Sequence, residues 1–132
     1  MAQQRVSQFI GRSAETVAAF AGNPENLPLW AAGLSAGIRR EGRRWFTDSP
    51  MGVVEVTFVG DQTVGILDHD VTLPDGTIVR NPMRVLQKDG GAEVVFTVVR
   101  LPSTSNADFE RDVALVRADL ARLRDRMEEF GP

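Results

Sequence analysis

The sequence predicts an α+β protein, and three observations carry that prediction. Near the C-terminus the large apolar residues Phe109, Val113, Val116, Leu120, Leu123, Met127 and Phe130 alternate steps of four and three. At about 100° per residue they fall on one stripe of a helix running from Asn106 to Phe130. Between Ala36 and Leu101 the chain breaks into short β-prone runs separated by compact turn signals. Strands joined that way are antiparallel neighbours. Finally, the strands come as a run before the long helix rather than alternating with helices, which is the α+β order. The expected architecture has about seven strands, two short helices after the first strand, and the long helix last.

The totals agree with this. A chain of 132 residues fits one domain, 1–132, with a real core. Apolar content of 42% and charged content of 25% are ordinary for a soluble globular protein. A net charge of -3 gives no global field toward nucleic acid or acidic lipid. With no cysteine, disulfides, thiolate nucleophiles and cysteine-ligated metal sites are excluded. The first residues contain no long apolar run of the kind a secretory signal needs. No window approaches the ~20 apolar residues of a membrane helix. The expectation is a cytoplasmic protein with no membrane insertion, no nucleic-acid partner and no cofactor.

Taken in order, Gln4 to Ile10 alternates as a first strand, with Val6, Gln8 and Ile10 on one side. Ser13 caps a helix over Ala14 to Ala21, with Glu15 in its first turn and Gly22 at its end. Asn23-Pro24 starts a second helical piece by cap and first-turn proline, rich in Leu27, Leu29, Trp30 and Leu34. Pro28 is expected to stop it. Ala36 to Glu41 and Arg44 to Thr47 flank Gly42 as a hairpin. After the loop at 48–52 come strands over Val53 to Val59 and Val64 to Thr72. Leu73-Pro74-Asp75-Gly76 turns the chain. Thr77 to Gln87 resumes, with Pro82 as a bulge or edge position. Ala92 to Leu101 is the last strand, and Ser105 with Asp108, or Asn106 alone, caps the long helix.

Alternation sorts each strand into two faces. Leu67, His69 and Val71 share one side of their strand, and Val79, Asn81, Met83 and Val85 one side of theirs. Val54, Val56 and Phe58 oppose Glu55, and Phe96 stands with Val94 and Val98. These sets are the expected inner faces, turned toward the helix.

Ser13-Ala14-Glu15-Thr16-Val17 followed by Asn23-Pro24-Glu25-Asn26-Leu27-Pro28-Leu29-Trp30 resembles the opening of the START-like, or SRPBCC, superfamily. Phe96-Thr97 leading into Phe109 to Leu123 resembles its close. Gly65-Ile66-Leu67-Asp68-His69 and Asn81-Pro82-Met83-Arg84-Val85 look like an uncharacterised bacterial branch. The superfamily includes polyketide cyclase/dehydrase-like proteins, pollen-allergen-type carriers and chaperone activators. The resemblance implies the helix-grip fold, a curved sheet wrapped around the C-terminal helix with a cavity between them. It also implies a small, largely apolar ligand, lipid- or polyketide-like.

The candidate ligand-binding residues are Trp30, Trp45, Phe58, Leu67, His69, Asn81, Met83, Phe96, Val113, Val116 and Leu120. For the large apolar members the alternative is ordinary core. His69, the one histidine, is the candidate catalytic residue of a cyclase/dehydrase-type enzyme, as general acid or base. Its simpler reading is a satisfied histidine at the sheet rim. Asp68 and Asp70 flank it, but alternation points them the other way, so no dyad or metal site is expected. Asn81 either orients a ligand or satisfies a bulge at Pro82. Arg39, Arg40, Arg43 and Arg44 around Gly42 read as a solvated hairpin tip. A third function remains open, an interaction module or homodimer related to chaperone activators, because Leu115, Val64 and Ile66 lie off the inner faces.

Overall fold

A computed structural model describes residues 3–31, 37–49 and 52–129. Leu34, Ala36 and Phe130, named above, and residues 50 and 51 of the loop at 48–52 lie outside the described residues. The elements are β1 (Gln3–Ile10), α1 (Ala14–Ala21), a 3-10 turn (Pro24–Asn26), α2 (Leu27–Trp30), β2 (Arg39–Glu41), β3 (Arg44–Ser49) and β4 (Gly52–Phe58). A second 3-10 turn (Gln62–Val64) follows. Then come β5 (His69–Thr72), β6 (Ile78–Asn81), β7 (Met83–Lys88), β8 (Gly91–Val99) and α3 (Asn106–Glu129).

All strand pairs are antiparallel. One sheet has the order β2-β3-β4-β5-β6 and the other β1-β8-β7. The two meet where β6 passes into β7 at Pro82. Proline has no N–H to give a ladder, so pairing changes partner there. Before it, His69 faces Asn81 across β5 and β6; after it, Met83 faces Phe96 across β7 and β8. The corner is stitched, since the Leu67 amide donates to the Met83 carbonyl at 2.8 Å and the Val85 amide to Gly65 at 2.8 Å. The result is one bent β surface of eight strands among the described residues, one more than expected because Thr77 to Gln87 is divided.

The stretch read as a strand from Val64 also divides. Asp61 caps the Gln62–Val64 turn through Thr63, and Gly65 follows in the left-handed region at φ 81°. A Cβ there would lie 2.2 Å from the Val85 carbonyl oxygen, so both backbone conformation and close approach require glycine. Pro28 does not stop the second helical piece; it stands in the first turn of α2, where a missing N–H costs nothing. Gly22 closes α1 with φ -83°, not by a left-handed turn. Its reason is space, because the Gln62 side chain sits against it and donates to its carbonyl at 2.9 Å.

The α3 stripe is as its spacing requires. Phe109, Val113, Leu120, Leu123 and Met127 are buried, while Leu115 is half exposed. Ser105 accepts from the Asp108 amide at the start of the helix. At its far end the Arg12 guanidinium donates to the Met127 carbonyl and Glu128 accepts from the Gly11 amide. A cation on the last carbonyls of a helix offsets their partial negative charge. The helix is thus clasped along β1 and laid across the bend, with Val6, Ile10, Val85, Val94 and Phe96 beneath it in one core. Among the described residues no helix is long and apolar enough to cross a membrane.

Candidate functional site

Between α3 and the bend lies an inner chamber of about 170 Å³. Leu27, Trp30 and Ala31 close one end from α2. Val56, His69, Val71, Asn81 and Phe96 form the sheet wall. Val116, Asp119 and Leu120 face them from α3. An outer groove of about 310 Å³ shares Asn81, Phe96, Val116 and Asp119 with the chamber. It extends past Val79, Val98 and Leu101 and along α3 to Asp112 and Leu115. The groove is the chamber's vestibule. The chamber alone is below the ~300–1,000 Å³ of common small-molecule sites, and chamber with vestibule reaches that range. A shallower cleft of about 490 Å³ lies between α1 and the turn at Gln62 to Gly65. Glu15 is its sole charged lining residue among the described ones.

His69 stands in the chamber wall and is 8% exposed. It sits between two rings, with Phe58 at 5.3 Å and Phe96 at 5.7 Å between centroids. Its Nδ1 lies 3.0 Å from the Leu67 carbonyl oxygen. A carbonyl can only accept, so Nδ1 carries the hydrogen and Nε2 of the neutral ring holds the lone pair. Burial pushes the His69 pKa below its ordinary value, against smaller opposite effects of the Leu67 carbonyl, Asp68 and Asp70. The ring is therefore neutral at pH 7, with Nε2 unpartnered among the described residues.

The flanking acids point away, as alternation requires. Asp70 pairs with Arg80, which holds its carboxyl below the usual range. Asp68 accepts from the Met83 amide at 2.9 Å and pairs with Arg84. Glu55 is likewise on the outer face, bidentate with Arg44 at 2.9 and 3.0 Å. Arg39 pairs with Glu41 and Asp48 at the sheet edge.

Trp30 is 3% exposed, and its Nε1 is buried with no acceptor among the described residues. An indole N–H usually finds a partner when buried, and leaving a donor unmet costs about 1–3 kcal/mol. The Asn81 side chain makes no hydrogen bond among the described residues, so it does not satisfy the Pro82 bend. Asn81 lines both the chamber and the vestibule.

Six of the eleven expected ligand-binding residues line the chamber: Trp30, His69, Asn81, Phe96, Val116 and Leu120. Leu67, Met83 and Val113 do not. They are packed core, because Leu67 and Met83 lie on the far side of the Pro82 corner and Val113 one helical turn before the chamber. Phe58 supports His69 from behind. Trp45 faces the same way as Val56, its cross-strand partner, but lies one strand nearer the edge. There it borders a separate cleft with Phe58 and Pro24, under the Arg40 guanidinium at 5.9 Å. Two polar contributors escaped the sequence reading. Asp119 is in the wall beside Leu120, and Arg122 donates to both Asp119 at 3.1 Å and the Trp30 carbonyl at 2.8 Å. Arg122 thereby pins α2 onto α3. Their signal is only one of spacing, since a helical three-residue step pairs them.

No family model matches the chain, and no curated protein matches it. Solved structures do. XoxI from Bacillus cereus superposes with a TM-score of 0.76 at 14% identity, over 100% of this chain and 99% of that one. A START superfamily protein from Mycobacterium smegmatis gives 0.68 at 14% identity, over 97% and 98%. DynU16, a protein of the dynemicin biosynthetic locus, gives 0.74 at 14% identity, over 100% of this chain and 49% of DynU16. The fold is START-like, the helix-grip arrangement.

Proposed function

We propose that this chain binds a small, largely apolar molecule in the chamber between the bent sheet and α3. One observation carries the reading. A partly open concavity with mainly aliphatic and aromatic walls has a few polar groups in its lining, which is the make-up of ligand sites. The fold neighbours support it at the level of fold alone. Native mass spectrometry of freshly purified chain, with thermal-shift measurements against apolar compounds, tests it. A retained or added small molecule raising the melting temperature is expected. A chain that carries nothing and is indifferent to every apolar compound small enough for the chamber rejects it.

A second reading keeps the pocket and asks His69 to move a proton, in the manner of a cyclase or dehydrase. The unprotonated Nε2 in the chamber wall favours a general base over a general acid. Nδ1 is held by a backbone carbonyl rather than a carboxylate, so the base is oriented without being strengthened. Replacing His69 by alanine abolishes turnover of an identified substrate on this reading; unchanged turnover excludes it.

A further inference from the structure

The polar groups that open on the chamber and its vestibule are acceptors wherever their role is fixed. His69 and Asn81 are paired across β5 and β6, which sets their Cβ atoms about 5 Å apart, and both line the chamber. The hydrogen bond from Nδ1 to the Leu67 carbonyl leaves His69 Nε2 a lone pair and no partner. Among the described residues Trp30 Nε1 is the one enclosed side-chain polar atom that lacks a partner. His69 Nε2 is therefore not enclosed, and this ring, 8% exposed, turns its lone pair to the space it lines. The Trp30 donor, being enclosed, offers nothing to that space.

The helix wall adds carboxylates. Asp119 lines both chamber and vestibule, and Asp112 lines the vestibule about two turns earlier on α3. Among the described residues no lysine or arginine lines either space. Asn81 and Thr104 can donate or accept, so neither imposes a polarity of its own. The two acids differ. Asp119 is matched by Arg122 at 3.1 Å. Asp112 makes no hydrogen bond or ion pair among the described residues, and Arg111 beside it is engaged by Asp108 at 3.0 Å. Desolvation, and then Asp108, push the Asp112 carboxyl up against a smaller opposing effect of Arg111. The vestibule thus holds a carboxylate with no cation of its own, beside Val79, Val98, Leu101 and Leu115.

An apolar occupant leaves these acceptors unmatched, and an anion is repelled by them. An ammonium carries only donors, and its charge offsets a carboxylate through stronger, charge-assisted hydrogen bonds. We infer that the chamber and vestibule select an organic cation, an ammonium on a small apolar body, with its N–H groups at the junction shared by Asn81 and Asp119 and in the field of Asp112. This rests on reading the chamber as a ligand site, and adds the ligand's chemical class to it.

The test uses the full chain labelled with ¹⁵N and ¹³C, titrated at pH 7 with benzylammonium, benzyl alcohol and benzoate. All three carry one ring, which suits a chamber of about 170 Å³, since about 150 Å³ holds a benzene. They differ in charge. Methyl signals of Leu120 and Val116 report occupancy, and the Asn81 side-chain amide signals report the polar head. Benzylammonium is expected to move both sets and to bind about tenfold tighter than benzyl alcohol, on the order of what a charge-assisted hydrogen bond adds over a neutral one. Benzoate is expected to bind more weakly than benzyl alcohol. In Asp112→Asn, and separately in Asn81→Leu, the preference for benzylammonium over benzyl alcohol shrinks toward unity. Asp112→Asn breaks no hydrogen bond or ion pair found among the described residues, so that variant decides even if the other fails to fold. Benzylammonium and benzyl alcohol binding the wild type equally overturns the inference while leaving a ligand site standing. So does benzoate binding as tightly as benzylammonium, or a preference that Asp112→Asn leaves unchanged. None of the three probes reaching Leu120 and Val116 overturns the ligand-site reading itself.

Discussion

His69 sets a pH dependence whose sign follows from burial. Its ordinary pKa is 6.5, and the folded ring is held below that by desolvation. As pH falls through about 6.5 the unfolded chain takes up a proton that the folded chain still refuses. Its contribution to stability is therefore full above that pH and is lost progressively below it, down to the depressed folded pKa. Asp70 and Glu55 have carboxyls held below their usual range by Arg80 and Arg44, so their losses come at more acid pH. Melting temperatures of the wild type are expected to fall as pH drops below about 6.5. His69→Gln flattens that segment; an unchanged slope in the variant would show that His69 is not buried as a neutral ring. Gly65 makes a second prediction at this scale. Gly65→Ala meets the Val85 carbonyl at 2.2 Å and holds alanine at φ 81°, so it costs more than the ~1–2 kcal/mol of the left-handed conformation alone. A lowered midpoint in chemical denaturation measures this.

Among the elements, α2 depends on the guanidinium of Arg122 for its seat on α3. Arg122→Met keeps the aliphatic stem and deletes the donors to the Trp30 carbonyl and Asp119. A loss of about 1–2 kcal/mol is expected, the range for hydrogen bonds to a charged group discounted for its partial exposure. The Ala31 amide, which closes α2 on the Leu27 carbonyl at 2.8 Å, should exchange its hydrogen faster than in the wild type, with Ser13-capped α1 unaffected. Long, periodic elements were legible from the sequence. The α3 stripe and the caps at Ser13, Asn23 and Ser105 rest on local chemistry, which a sequence displays. The inner placement of His69, Asn81 and Phe96 followed from period two, and survived because the breaks at Gly65 and Pro82 did not reverse the faces. Pairing was not legible. Nothing local says that β6 joins β5 while β7 joins β8, and that exchange removes Leu67 and Met83 from the chamber and adds a strand. Asp119 and Arg122 were hidden for the same reason, since their partners lie across the fold on α2 or become relevant only beside the chamber.

For the whole molecule, one helix both completes the core and bounds the chamber, so stability and the chamber's dimensions share a structural part. Leu120 and Leu123 separate the two roles. Leu120 is 1% exposed and lines the chamber; Leu123 is buried one turn on, in the core alone. Truncating a buried leucine to alanine costs about 2–5 kcal/mol, and the amount depends on the space left behind. Leu120 already borders a space on one side and makes fewer contacts there, so Leu120→Ala belongs at the lower end. Leu123→Ala creates a new hole in packed surroundings and belongs at the upper end. Ligand size should respond in the opposite order. Leu120→Ala enlarges the chamber, so two-ring compounds excluded from the wild type should raise its melting temperature. Leu123→Ala leaves the chamber walls in place and should keep the size limit of the wild type. Denaturant unfolding gives the first comparison, and thermal shifts against one- and two-ring compounds give the second. Equal size selection in the two variants would mean that α3 does not set the chamber's dimensions.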